Sequence, residues 1–131
     1  MALSSTELWV SKTEASLGRR FPAALRTRYL AENGGEIVVA EDDWELFPIQ
    51  DLSDRKRAAR TAGHVVHETE LARGWSEFPS DAVAIATNGC GDMLVLRPSP
   101  TDESAWADMI FIWNHETGVA QKASTCTEIL G

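Results

Sequence analysis

The chain has few cysteines, few basic residues and no long apolar run, and each shortage excludes a class of protein. Among 131 residues there are 2 cysteines, Cys90 and Cys126, which cannot form a disulfide framework or a four-cysteine zinc site. No apolar run approaches the roughly 20 residues that cross a bilayer. The N-terminus lacks the basic and apolar segments of a secretory signal. We therefore expect a cytoplasmic protein with reduced thiols and no membrane contact.

Basic residues are the most informative shortage. The chain has 12 lysines and arginines against 20 aspartates and glutamates, a net charge of −8. Because nucleic acids are bound through lysine and arginine, this balance argues against a nucleic-acid partner and favours a basic protein partner. The stretch from Tyr29 to Asp54 is rich in acids and has no lysine or arginine. Arg55-Lys56-Arg57 follow directly and are most simply a solvated helix face that offsets this acidic stretch.

The remaining composition is that of a folded domain. Hydrophobic residues make up 44% of the chain, with 5 tryptophans and 4 phenylalanines to build a core. The length is near the commonest domain size, and no linker or internal repeat interrupts the sequence. We therefore expect a single domain over residues 1–131.

Helix signals lie at the beginning, in the middle and at the end of the chain. Ser4-x-x-Glu7 predicts a capping box and a helix that ends at Leu17-Gly18. A second helix is predicted over Pro22–Glu32, with Leu25 and Tyr29 inward and a stop at Asn33-Gly34-Gly35. Two middle helices, separated at Ala62-Gly63, and a short C-terminal helix are predicted at 54–61, at 64–72 and after Thr125.

Short β-branched or aromatic runs between the helices predict strands. These strands are predicted at 36–40, 44–49, 82–87, 93–96 and 109–113. The loop Asn88–Asp92 joins two of them and is typical of a hairpin. The fold class predicted is α+β, with an N-terminal helix pair packed on a central antiparallel sheet and a short C-terminal helix.

Three groups of residues were weighed as chemical sites, and none supports catalysis. His64-x-x-His67 has a spacing that can bind zinc, but no third ligand is predictable. Cys90 and His115 could act as a nucleophile and a base, but nothing beyond their residue types favours such a catalytic pair. The glycine-rich turn at 88–91 precedes a strand, whereas phosphate-binding loops precede a helix. We therefore expect no enzyme activity, no cofactor and no metal.

An ordered set of weak motifs covers most of the chain. It comprises Glu14, Leu17-Gly18, Phe21-Pro22, Leu25, Tyr29, Asn33-Gly34-Gly35, Trp44, Leu46, Pro48, Phe78-Pro79, Ile85-Ala86, Asn88-Gly89, Gly91-Asp92, Ile112-Trp113 and His115-Glu116. In this order and spacing the chain resembles the SUKH superfamily, in particular its Smi/Knr cell-wall-regulator-like family. No motif of that family matches residues 51–76.

The resemblance implies an α+β fold and a non-enzymatic, protein-binding function. Bacterial members are typically immunity proteins that neutralise a cognate toxin, often a nuclease or deaminase domain, and fungal members are regulatory adaptors. Occlusion of a toxin by an acidic surface is therefore the expected function, and regulation of a cell-wall or signalling enzyme is the alternative. The partner's identity and the oligomeric state stay open.

The expected partner-binding residues are carboxylates with a tryptophan among them. They are Glu41, Asp42, Asp43, Trp44, Glu45, Asp92, Trp113 and Glu116. The acids would provide charge complementarity, and Trp44 or Trp113 would serve as the apolar anchor. Whether Trp44 lies in the core or at the interface is open, and a simpler role for Asp92 is to hold its hairpin by accepting backbone N–H bonds.

Overall fold

The computed structural model describes residues 4–130 and shows an α+β fold. Its helices are α1 (Glu7–Leu17), α2 (Ala23–Ala31), α3 (Arg55–Arg60), α4 (Val65–Arg73) and α5 (Cys126–Leu130). Its strands are β1 (Glu36–Val39), β2 (Asp42–Leu46), β3 (Val83–Thr87), β4 (Met93–Leu96), β5 (Ile110–Trp113) and β6 (Ala120–Ser124). Among these helices, none has both the length and the apolar character needed to cross a membrane.

The strands form one antiparallel meander. The sheet order is β1-β2-β3-β4-β5-β6, so each strand pairs with its neighbours in the chain. In such a sheet the connections β1–β2, β3–β4 and β5–β6 all lie at one end, which we call the turn end. The other two connections lie at the opposite end, and the longer one contains α3 and α4.

The predicted capping box at the first helix is wrong. The helix begins after Thr6, whose side chain makes no capping hydrogen bond. The backbone N–H of Ser5 donates to the carbonyl of Tyr29, and Arg26 donates to the Glu7 carboxylate at 2.9 Å. Glu7 is therefore engaged by another helix instead of turning back to cap its own. The predicted end of the helix is confirmed, because Gly18 adopts a left-handed φ of 81°.

The second helix ends where the Asn-Gly-Gly sequence predicts, but asparagine acts through its side chain. Gly34 and Gly35 have φ values of 115° and 86°. The Asn33 amide donates to the carbonyl of Ile49 at 2.9 Å and accepts from the N–H of Ile49 at 2.7 Å. These two hydrogen bonds join the end of α2 to the segment that follows β2. Pro22 is the cap of this helix instead of its first residue.

The N-terminal helices and the sheet share one hydrophobic core, as predicted. Val10 from α1 and Leu25 and Tyr29 from α2 are fully buried together with β-strand residues such as Ile85 and Leu94. The Tyr29 hydroxyl donates to the carbonyl of Phe47 at 2.7 Å, which ties α2 to the chain after β2.

Helix α4 packs directly on the sheet. The hydroxyl of Thr69 accepts from the N–H of Ala84 at 2.9 Å, in the middle of β3. The N–H of Val65 donates to the carbonyl of Pro48, beyond the end of β2. The two middle helices were thus predicted correctly, with boundaries that each differ by one residue.

Strand β6 was not predicted. Its sequence, Ala-Gln-Lys-Ala-Ser, lacks the β-branched and aromatic residues that favour strands. It is a strand because it pairs along β5, with Trp113 opposite Ala120 and Ile112 opposite Gln121. The predicted second strand was also displaced, since β2 begins two residues earlier than expected and ends at Leu46.

Candidate protein-interaction surface

The hairpin of β1 and β2 presents a face that is mostly acidic. Glu36 pairs with Glu45 and Val38 pairs with Asp43 across the two strands, and these side chains are exposed. The intervening residues, which include Ile37 and Val39, are buried on the other face. We call the exposed set of Glu36, Val38, Asp43 and Glu45 the acidic hairpin face.

The carboxylates of this face form no salt bridge in the part of the chain that the structure describes. Within residues 4–130, none of the acids from Glu36 to Glu45 takes part in an ion pair. Glu36 and Glu45 are direct cross-strand neighbours, and like charges in that arrangement destabilise a sheet. The fold therefore keeps an unfavourable charge pair on its surface.

Val38 gives the acidic hairpin face an apolar centre. Its side chain is 57% exposed, although valine is usually buried. Val38 lies within β1 and is paired with Asp43 of β2. An exposed apolar residue surrounded by charges resembles the centre and rim of a protein interface. Sequence reasoning did not single out Val38, because its direction depends on the pairing of β1 with β2.

The hairpin connection is strained. Ala40 and Glu41 join Val39 to Asp42, and their φ values are 52° and 68°. Two-residue connections with positive φ at both positions are usually made by asparagine and glycine. This connection places Glu41 and Asp42, whose side chains are both exposed, at the tip of the hairpin.

Trp44, whose place in the core or at the interface the sequence left open, lies in the core. Its side chain is 2% exposed, and the indole Nε1 donates to the carbonyl of Val39 at 3.1 Å. Pairing with β1 places Trp44 opposite Ile37, on the buried face of the hairpin. Its neighbours Asp43 and Glu45 point the opposite way, as alternation along a strand requires.

Trp113 is also buried and cannot contact a partner directly. It is 3% exposed, and its Nε1 donates to the carbonyl of Glu77 at 3.2 Å. Trp75 stacks over it, with ring centroids 5.7 Å apart. The side chain that reaches solvent at this position is therefore Trp75, which sequence reasoning did not identify.

Asp92 holds two turns together. Its carboxylate accepts from the backbone N–H of His115 at 3.1 Å and contacts the ring Nδ1 of the same residue at 2.7 Å. Asn88 donates to it from the other side. Burial raises the pKa of Asp92, but these hydrogen bonds outweigh burial and the pKa lies below its ordinary value. The predicted bond between Asp92 and a backbone N–H is confirmed, although that N–H belongs to the next turn.

Glu116 is in that second turn, and its side chain is 79% exposed. The topology brings this turn, the Asn88–Asp92 turn and the hairpin tip to the turn end of the sheet. The turn end thus gathers acids from three connections that are far apart in sequence: Glu41 and Asp42, then Asp92, then Glu116. None of its three connections contains lysine or arginine.

A cleft of about 220 Å³ lies at the end of the hairpin opposite its tip. It is bounded by the Asn33-Gly34-Gly35 turn, by Glu45 and by Asp51, Arg57 and Arg60 from the segment without family motifs. Asp51 is 3% exposed and lies 3.7 Å from the Arg57 guanidinium. Since two acids and two cations line it, the cleft does not extend the acidic surface.

His64 has a structural contact in the helix that the His-x-x-His spacing predicted. The Nδ1 of His64 accepts from the N–H of His67 at 3.3 Å and so caps α4. Within residues 4–130, no cluster of three or more histidine, cysteine, aspartate or glutamate residues is arranged to hold a metal ion. Cys90 is exposed in its turn, and Cys126 is buried, which raises the pKa of its thiol to about 12.

Comparison with protein families gives one match over almost the whole chain. The model of the SMI1 / KNR4 family (SUKH-1) matches residues 4–131. Comparison with curated proteins and with solved structures gives no match.

Proposed function

The chain belongs to the SMI1 / KNR4 family (SUKH-1), and we propose that it is a non-enzymatic immunity protein that neutralises a basic toxin domain by occlusion. The single observation that carries this proposal is the acidic hairpin face, whose carboxylates have no ion-pair partner in the described residues. Family membership is compatible with an immunity or a regulatory protein, and the charge of the surface favours a basic partner.

The mechanism we propose is electrostatic docking followed by burial of a small apolar centre. The carboxylates of the hairpin, with Asp92 and Glu116 at the turn end, attract the partner and orient it. Val38 is then buried against the partner. It serves as the apolar anchor, the role expected from the sequence for Trp44 or Trp113. A toxin whose substrate groove is basic, as in a nuclease, would be blocked by this contact.

The same surface also fits the alternative, a regulatory adaptor that binds a cell-wall or signalling enzyme without inhibiting it. The two functions differ in the partner and in what happens to its activity. In both we expect one cytoplasmic domain over 1–131 that binds a protein and does not bind nucleic acid.

A pull-down from lysate of the source cell, with this protein as bait, identifies the partner. Salt screens charge interactions, so a partner held by the acidic surface should elute as the salt concentration rises. A basic toxin domain whose activity is lost on binding would support the immunity function. A cell-wall or signalling enzyme that stays active would support the adaptor.

Charge reversal on the hairpin tests the surface itself. The variant Asp43→Lys/Glu45→Lys should slow association with the partner by about tenfold or more. The matched control is Glu70→Lys/Glu103→Lys, which makes the same change in net charge at exposed residues outside the hairpin.

The free energy of unfolding of the charge-reversed variant shows whether weaker binding comes from a lost contact with the partner or from unfolding of the variant. Glu45→Lys places a cation opposite Glu36, so it should raise the free energy of unfolding by about 0.5 kcal/mol. Equal binding by the hairpin variant and its control would show that the acidic hairpin face is not the binding surface.

A further inference from the structure

Trp75 is the most exposed tryptophan of the chain. It is 43% exposed, whereas Trp44, Trp106 and Trp113 are each at most 4% exposed. Leu71, one turn earlier along the chain, is also 52% exposed. Large exposed apolar side chains that lie close together mark interaction sites more often than isolated ones do.

The ring of Trp75 is held in a fixed position. It stacks on Trp113 with an interplanar angle of 21°, and Phe78 meets it edge-on at a centroid distance of 6.4 Å. The N–H of Trp75 donates to the carbonyl of Ala72, at the end of α4. One face of the ring rests on the buried Trp113, so the opposite face is the one presented to solvent. Because the ring is already held in place, it loses little side-chain freedom when a partner binds.

Two glutamates follow the stacked tryptophans closely in the chain. Glu77, two residues after Trp75, packs against Gly118 in the β5–β6 turn, where a Cβ on that glycine would clash with the Glu77 carboxyl group. The same turn carries Glu116, whose side chain is 79% exposed. Trp113, on which Trp75 stacks, is the last residue of β5. Trp75 is therefore at the turn end of the sheet, together with the acids of the hairpin tip.

We propose that Trp75 receives an arginine side chain of the partner, which stacks on the free face of the indole with its guanidinium near Glu77 and Glu116. This inference rests on the proposed binding of a basic protein and names a second contact for it. A tryptophan face attracts cations more strongly than any other aromatic ring does. Arginine fits better than lysine, because its planar guanidinium stacks on a ring and bonds to carboxylates at its edge.

The test is an NMR titration of the ¹⁵N-labelled full chain with two short peptides. The first is an acetylated and amidated Gly-Arg-Gly peptide, and the second has citrulline, the uncharged isostere, in place of arginine. The indole Nε1–H signal of Trp75 is assigned from its absence in Trp75→Phe. We expect the arginine peptide to shift this signal saturably and to bind about fivefold more tightly than the citrulline peptide.

Variants confirm the position of the contact. Trp75→Ala and Glu116→Gln should each weaken binding of the arginine peptide by about threefold or more. The control Leu52→Ala, at another apolar residue that is 54% exposed, should leave it unchanged. The wild-type titration needs no variant, so the test holds even if Trp75→Ala does not fold.

Each other result contradicts the inference. Equal binding of the two peptides would show that Trp75 does not recognise a cation. Shifts at the Val38 amide without a shift at Trp75 would place the cation on the acidic hairpin face, which overturns this inference and leaves the proposed function intact. The absence of shifts at both Trp75 and Val38 would also overturn the inference. The pull-down from lysate would then test the proposed function independently.

Discussion

Replacing Ala40 with glycine should make the protein more stable, because Ala40 has a backbone conformation that suits glycine. Its φ is 52°, in the left-handed region, and that of Glu41 is 68°. The cross-strand pair of Val39 and Asp42 fixes the connection at two residues, so the turn cannot relax into another conformation without loss of that pair.

The magnitude follows from two opposing effects. The left-handed conformation costs an alanine roughly 1–2 kcal/mol, which glycine does not incur. Glycine loses more chain entropy on folding, which costs roughly 0.5–1 kcal/mol. The net increase in the free energy of unfolding should be about 0.5–1 kcal/mol, or about 2–5 °C in the midpoint of thermal unfolding.

Urea and thermal unfolding followed by circular dichroism measure this change. Ala15→Gly is the matched control, since Ala15 is exposed within α1 and has ordinary helical backbone. The same substitution there should lower the free energy of unfolding by about 1 kcal/mol. Ala40→Gly removes no carboxylate, so binding of the partner should stay the same.

Opposite signs at the two alanines are the essential result. If Ala40→Gly destabilised the protein as much as Ala15→Gly does, the hairpin connection would not be strained. Glu41 and Asp42 would then lie on a turn whose positive φ values cost no stability.

Three further substitutions test the contacts that hold the fold. Glu14→Ala should lower the free energy of unfolding by about 2–3 kcal/mol, because the buried N–H of Phe21 loses its acceptor at 2.7 Å and Arg26 loses its contact with Glu14 at 3.1 Å; a loss below 1 kcal/mol in urea unfolding would contradict this. Asn33→Ala should cost about 2–3 kcal/mol, because both backbone groups of the buried Ile49 lose their partner, and unchanged hydrogen exchange at the Ile49 amide would refute the reasoning. Asp92→Asn should cost about 1 kcal/mol at pH 7. Since the pKa of Asp92 is lowered in the folded protein, its contribution is complete above the ordinary value of 3.8 and disappears as the pH falls through the folded value. A deficit of the variant that does not begin to shrink as the pH is lowered below 3.8 would argue against it.

Local backbone signals in the sequence predicted most of the elements. Gly18 and the Gly34-Gly35 pair end helices because glycine adopts positive φ without steric cost, and this requirement is visible in the residues themselves. The inward positions of Leu25 and Tyr29 follow from helical periodicity alone. The order of weak motifs predicted the family, which the match over residues 4–131 confirms.

Features that depend on pairing between distant segments were not predictable. Both alternating sets of residues in the second predicted strand are mostly apolar, so only the register with β1 decides that Trp44 faces inward and Glu45 outward. Strand β6 has a sequence with no strand preference, and it exists because β5 offers an edge. The opposition of Glu36 and Glu45 is likewise a property of the register.

The sequence by itself determined the composition, the acidic charge, the helix ends and the family of this protein. Each of these is carried by single residues or by neighbours along the chain. The tertiary structure alone decided which acids share a surface, because the meander brings three separate connections to one end of the sheet. It also decided that Trp75 and not Trp113 reaches solvent, since one ring covers the other only after α4 has packed across the strands.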